Sequence, residues 1–514
     1  MRTSTLALIL GLTCGPVSAQ DANPMSAIDW LSDSVATPVL APAPVITGNE
    51  PGVTTGASVE AVTVAPLGRP VPDAVGILPI SVTGLPRTLW GASRPDDLAR
   101  RIREERTDML PAMQAQLYAL LLAELDPAES PDSTGYTVFL ARVDKLLELG
   151  ALDQAEALLE RAGPENPEIF RRWFDTALLL GSENHLCDTL RATPELSPTF
   201  PARIFCLARG GDWNAAVLTL ETGRALGFIS AEEDALLARF LDPDLFEGEA
   251  PLPVPARPTP LTFRMFEAIG EPIPTARLPL AFAQSDLRSN IGWKARIEAG
   301  ERLARTGAVS ENQLLGLYTE RKPAGSGGVW TRVAALQALD RALDTGHPEA
   351  IAIALPAAWE ALERAGVEVP FARIYGPRLA KASLTGEAAA IALRLGLLSD
   401  TSEEIASAAT PDDPMERLLL GVARGDVSGL SAPTDRAQAV LDGFTATTAP
   451  IRLRSLLDSD RLGEAILRAM SMFTNGIQGD LDEVTDALAL FRAVGLENTA
   501  RRAALEYLIL ERRG

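Results

Sequence analysis

Side chains that could carry chemistry are few in this chain. It has only two histidines in 514 residues, His185 and His347. Neither has a second His, a Cys or a carboxylate at ligand spacing, so a zinc centre is not expected. His185 stands two residues from Cys187, but that pair alone makes no catalytic dyad. Both histidines read as ordinary surface residues. Gly325, Gly327 and Gly328 precede a helical stretch beside Arg321 and Lys322, and backbone amides there would suit an anion. With no strand feeding it, the segment reads as a plain loop. The chain has no G-x-S-x-G, no Gly-rich phosphate loop ending in Lys, and no G-x-G-x-x-G between a strand and a helix. Carboxylates are so abundant that Glu124, Asp126 and Glu129, or Glu403 and Glu404, read as solvated faces. No catalytic residue, metal or cofactor is expected, and the chain does not read as an enzyme.

The cysteines have a clearer meaning, and it depends on compartment. Met1-Arg2 is a short basic start, Leu6 to Leu12 a short apolar run, and Val17-Ser18-Ala19 a small-x-small site. Together they predict a secretory leader over residues 1–19, cleaved near Ala19. Cys14 suits a lipid-attachment site poorly, because Gly11-Leu12-Thr13 precedes it. An exported, most simply periplasmic protein then keeps two cysteines, Cys187 and Cys206, in an oxidising compartment. They fall on consecutive helical segments and are expected to form a disulfide. Closing a loop of about 20 residues stabilises by roughly 3 kcal/mol.

Charge narrows the partners. The formal net charge is −21, with 43 arginines against 4 lysines. Such an acidic chain is a poor ligand for nucleic acid or an anionic membrane. No later run approaches the ~20 apolar residues of a membrane span.

The elements that must position any site are helical. Residues 20–92 are rich in Pro, Ala, Val, Thr and Gly, with almost no helical period. They predict a disordered tether spanning about 45–50 Å on average. Two apolar islands interrupt it, 27–31 with Trp30 and 77–90 with Trp90. The second reads as a cap over the protein's own helices, while the first reads equally as a cap or a docking motif. Both tryptophans are kept as candidate partner-binding anchors. From 93 to 242 the apolar residues recur at helical spacing. Residues 243–260 hold six prolines and form a linker or strap. Residues 261–514 predict a second helical domain, including helices at 278–287 and 377–396. Short apolar runs between them are Pro-laden and make poor strands.

The clearest helical pair is 138–162. Gly150 breaks the first helix, Asp153 starts the second, and Ala155 and Ala162 lie on its inner face. Gly211, Ala216 and Gly223 repeat this spacing, with Trp213 beside the turn; Gly495 and Ala500 repeat part of it, and Asp460 to Ala465 is a degraded copy. This pattern resembles the tetratricopeptide repeat, in which small residues let two helix backbones approach. The resemblance implies an all-α solenoid of stacked helical hairpins, whose extended surface would bind a protein or peptide. The same superhelical character is similar in kind to the body of some soluble lytic transglycosylases. However, Glu129-Ser130, the only Glu-Ser pair, is followed by Pro in a loop, and aromatics make up only 5% of the chain.

The sequence therefore predicts a non-catalytic interaction scaffold of the cell envelope, with a cell-wall hydrolase relative as the alternative. Tyr318 and Trp359 join Trp30 and Trp90 as candidate anchors. Trp173 and Trp213 fall on apolar stripes and read as core. Arg171, Arg172, Arg296 and Arg302 read as solvent-facing.

Overall fold

The structure, a computed structural model, describes residues 28, 30, 31, 71–128 and 135–510. The leader, Cys14, most of the predicted tether and Glu129-Ser130 lie outside the described residues. The described chain is all-α, with twenty-four α-helices and five 3-10 segments. Its one β-type pairing is an isolated bridge between Leu78 and Ala123. No described helix is long and apolar enough to cross a membrane.

The helical hairpins share a turn that the sequence specifies. Helices Thr137–Glu148 and Leu152–Ala162 are joined at Gly150, whose φ is +76°. The amide of Ala151 donates back to Leu146 O at 2.9 Å, which caps the first helix and reverses the chain. The same bond recurs from Asp212 to Leu207, from Leu496 to Phe491 and from Arg461 to Leu456. Five residues beyond each turn residue stands a fully buried alanine: Ala155, Ala216, Ala500 and Ala465. Even the degraded copy keeps this geometry, with Asp460 at φ +55° in place of glycine. Seven residues further the pattern loosens, because Gly223 is small but Tyr507 is large and equally buried.

The turn at Gly150 also explains how the two halves meet. A Cβ there would stand 2.6 Å from Leu303 Cδ2, so the bare backbone lets the hairpin tip press against helix Trp293–Ala304. Around the contact, backbone carbonyls left open at helix ends are satisfied by side chains from the second half. Gln284 donates to Gly150 O at 2.6 Å, Thr306 to Leu149 O at 2.7 Å and Ser285 to Leu179 O at 2.8 Å. Helices on both sides of 243–260 thus belong to one hydrophobic core. The Pro-rich stretch itself is a strap. Arg239 donates to Ala250 O at 2.8 Å, and Glu271 accepts from both Arg239 and the Leu252 amide.

The first turn of the body starts earlier than expected. Residues 71–92 are packed rather than free, and the reason is Arg142. Its guanidinium is fully buried and donates to Leu121 O, Val75 O and Ala123 O at 2.7–2.9 Å. A guanidinium has five donors, enough to satisfy several carbonyls where no sheet or helix does so. Burial pulls its pKa down to about 10, against the pull of Asp73. Asp73 Oδ1 in turn accepts the Phe139 amide at 2.7 Å, in the first turn of helix Thr137–Glu148.

The two ends of the described chain also meet. Leu89 O accepts the Gly463 amide at 2.8 Å, and Ala92 donates to Asp460 O at 3.0 Å. Glu464 accepts from Arg101 at 3.0 Å, and Glu506 accepts the Ala112 amide at 2.8 Å. Two local expectations change. Residues 280–287 form a 3-10 segment following Pro279, not an α-helix. Residues 377–396 are divided between helices Glu368–Leu379 and Gly386–Leu397, the first ending soon after Pro377.

Candidate interaction surface

The four expected anchors are not on the surface. Trp90 is buried, its ring pressed against Gly463, where a Cβ would stand 2.4 Å from Cε3. Trp30 is buried edge-on against Phe282 at 5.5 Å, which meets Phe263 in the same manner. Tyr318 is buried and donates to Glu301 Oε1 at 2.5 Å; Arg332 bonds the same carboxylate through two nitrogens. Trp359 lies on the buried face of helix Pro348–Ala365. Each has large apolar area that the body itself covers, so none is free to anchor a partner. The arginines are corrected too. Arg171 and Arg172 are buried, with Arg172 bridging Asp144 and Glu168. Arg296 pairs with Glu320, and Arg302 donates to the carbonyls of Thr275 and Leu278.

Cys187 and Cys206 are bonded and join helix Asn184–Ala192 to helix Phe200–Arg209, with their Cα atoms 4.9 Å apart. His185 is exposed, its Nδ1 2.7 Å from Ser182 O, and His347 precedes helix Pro348–Ala365. Among the described residues no group of three metal-ligating side chains converges.

The surface that stands out lies just beyond the disulfide. Of twelve exposed large apolar side chains among the described residues, seven fall between Trp213 and Val254. Helix Trp213–Ala225 is apolar on more than one side, yet it buries only Ala216, Leu220 and Gly223. Gly223 lets Ile229 close to within 2.6 Å of where a Cβ would be, which fixes the chain's exit from the helix. The opposite face is open. Trp213 is 49% exposed and Leu218 68%, with Val217 between them. Leu226 and Phe228, past the helix end, are also exposed, and Phe228 stacks on Phe200 at 4.9 Å. A helix apolar all round is normally buried all round. Expecting Trp213 in the core followed that rule, and the structure overturns it.

The earlier hairpin offers a comparison. Leu152 stands at the position of Trp213, and Glu156 and Ala157 at those of Val217 and Leu218, 61 residues before. Leu152 is fully buried, and helix Pro167–Leu180 packs along its hairpin; Glu156 accepts from Ser182 at 2.8 Å. Helix Ala231–Leu241 likewise packs on the second hairpin, with Phe240 stacked on Phe205 at 5.4 Å and Arg224 paired with Asp234, yet Trp213, Val217 and Leu218 stay exposed. Reading the two hairpins against each other would have found it, since a Glu-Ala pair is replaced by Val-Leu. Two clefts flank the region. One of ≈ 560 Å³ lies under the strap, with Leu236, Leu252 and Phe266 in its wall; one of ≈ 390 Å³ lies beside Leu196, Phe200 and Arg203.

A desolvated carboxylate also exists, but not in a cleft. Burial pushes the Glu105 carboxyl up to about 7, opposed by a hydrogen bond from Ser471 and by the nearby charges of Lys145 and Arg101. It lines neither of the two clefts described above. No protein-family model matches this chain, and no curated protein or solved structure is detectably similar to it.

Proposed function

We propose that this chain is an exported, non-catalytic interaction scaffold of the bacterial cell envelope. Its tetratricopeptide-like hairpins hold a protein or peptide partner on the surface around Trp213. The observation that carries the reading is the concentration of exposed apolar side chains between Trp213 and Val254, in a body that buries Trp30, Trp90, Trp173, Trp293 and Trp359. Large contiguous apolar patches on soluble proteins mark interaction sites. The leader-like start and the disulfide support an oxidising compartment. Superhelical hydrolases have a similar body, but Glu105, whose carboxyl burial pushes up, lines neither of the two clefts described above, which favours the scaffold reading.

A photo-crosslinking residue placed at Leu218 in the full chain, expressed in a Gram-negative cell, tests it. One discrete adduct is expected from Leu218 and none from Ile353, which is more exposed still, on helix Pro348–Ala365. Trp213→Ala should abolish that adduct. Diffuse labelling indistinguishable between the two positions would sink the proposal.

A further inference from the structure

We infer that the cleft where residues 107–109 meet the end of helix Trp293–Ala304 binds a small phosphomonoester, held through its phosphoryl group by Arg302 and Arg305. This site is independent of the scaffold reading, since none of its walls belongs to the surface around Trp213. Three observations lead to it.

The first is a pair of charges without counter-charge. The cleft measures ≈ 320 Å³ and brings Thr107, Asp108 and Met109 against Leu280, Arg302 and Arg305. Asp108 is the one carboxylate in its wall, and Arg106 already bonds both its oxygens, at 2.8 and 2.6 Å. Among the described residues Arg302 donates only to the carbonyls of Thr275 and Leu278, and Arg305 only to that of Ala365 at 2.7 Å. Asp286 is near enough for Arg302 to feel its charge, but it accepts the Thr275 hydroxyl instead. In a chain of net charge −21, this cleft carries a positive excess of its own.

The second is that the helix end does not use them. Arginines in a last turn ordinarily answer the open carbonyls and the negative pole there. Here the carbonyls of Glu301, Leu303 and Ala304 accept the amides of Arg305, Ala308 and Gly307, and Arg305 O accepts from Gln114 Nε2 at 2.6 Å. The terminal nitrogens of Arg305, Nε of Arg302 and the Thr107 hydroxyl make no hydrogen bond among the described residues. Burial lowers the Arg302 pKa, and the charge of Arg305 adds to that fall against the pull of Asp286. The two guanidiniums thus repel each other, and an anion between them relieves the repulsion.

The third selects the anion. Two guanidiniums and a hydroxyl, offered from segments far apart in sequence, match the several oxygens and double charge of a phosphoryl group better than a single carboxylate. The rest of the wall is apolar, with Met109 buried and Leu280 half-buried. At ≈ 320 Å³ the cleft stands at the lower end of ligand-sized sites, about 300–1,000 Å³, which leaves room for a small organic group beside the phosphoryl.

The test titrates the full oxidised chain by calorimetry with phenyl phosphate, inorganic phosphate, malonate and acetate at constant ionic strength. Hydrogen exchange with and without phenyl phosphate locates the site. Phenyl phosphate should bind saturably, more tightly than inorganic phosphate and at least tenfold more tightly than malonate or acetate. It should slow exchange at 107–109 and 305–308. Arg305→Gln should weaken it at least tenfold, and Arg305→Lys, which keeps the charge, should weaken it less. Arg341→Gln, at an exposed arginine on helix Val329–Thr345, should leave it unchanged. Arg302→Gln also frees two carbonyls, so the Arg305 variants decide, with their melting temperatures taken without ligand to separate lost binding from lost folding. Malonate or inorganic phosphate binding as tightly as phenyl phosphate overturns the monoester assignment. Equal, non-saturating effects of all four anions mean charge screening alone and overturn the site. So does saturable binding undiminished in Arg305→Gln, since the ligand then sits elsewhere.

Discussion

Glu105 accepts a hydrogen bond from Ser471 Oγ at 2.8 Å, across 366 residues of chain, while its second oxygen has no partner. It therefore sits on the seam where helix Pro95–Glu104 meets helix Leu462–Gly476. Lys145 and Arg101 favour its charged form and Glu104 disfavours it, but burial outweighs them and raises its pKa from 4.5 to about 7. Because the folded value lies above the unfolded one, the stabilisation is full below about pH 4.5 and is lost as pH rises through about 7. The loss amounts to about 3 kcal/mol. Thermal melts from pH 5 to 8.5 should show a falling Tm in the wild type and a flatter profile in Glu105→Gln. Parallel profiles would refute the assignment.

Trp213 and Trp90 should respond oppositely to truncation. Trp213→Ala removes a half-exposed ring and should change stability by less than about 1 kcal/mol. Trp90→Ala opens a cavity over Gly463 and should cost about 3–5 kcal/mol. Urea midpoints of the two variants at constant slope decide the matter.

Arg142 holds a stretch with no secondary-structure partner for its carbonyls. Arg142→Met leaves those of Leu121, Val75 and Ala123 buried and unpaired, at an expected cost of at least about 3 kcal/mol. Arg142→Lys should rescue only part of this, because an ammonium cannot span the fork of a guanidinium. Hydrogen exchange of the amides between 73 and 78 should accelerate in both variants, more in the methionine one.

The Cys187–Cys206 bond closes a loop with a sequence separation of 19. Its reduction should lower stability by about 3 kcal/mol. Unfolding midpoints with and without reductant should differ in the wild type and coincide in the Cys187→Ala/Cys206→Ala double variant.

What the sequence reveals here is local. Gly150 and Ala155, or Gly211 and Ala216, announce a turn and a close approach because both requirements lie within one hairpin. Burial across hairpins does not show in the same way. Trp213 and Leu152 occupy the same register on similar apolar stripes, and only what packs over each hairpin decides which is covered. The same limit kept Trp30, Tyr318 and Trp359 among the candidate anchors, since an aromatic in a Pro-rich stretch or on a helix does not show what packs over it; for Trp90 the reading of 77–90 as a cap over the protein's own helices holds, and its reading as an anchor does not. Arg142 and Glu105 were invisible for a related reason. Their partners are carbonyls and a hydroxyl of remote segments, and no spacing encodes those.

The meeting of Leu89 and Trp90 with Gly463, and of Ala112 with Glu506, also sets the order in which this molecule is completed. Synthesis runs from the N-terminus, so Leu89 and Trp90 are made long before helix Leu462–Gly476, against which they pack. Such distant pairing closes late and slowly. Until then the nascent chain carries an uncovered apolar surface that chaperones and proteases can recognise. A chain stopped short of helix Leu462–Gly476 would lose both that helix and the burial of Trp90 at the opposite end.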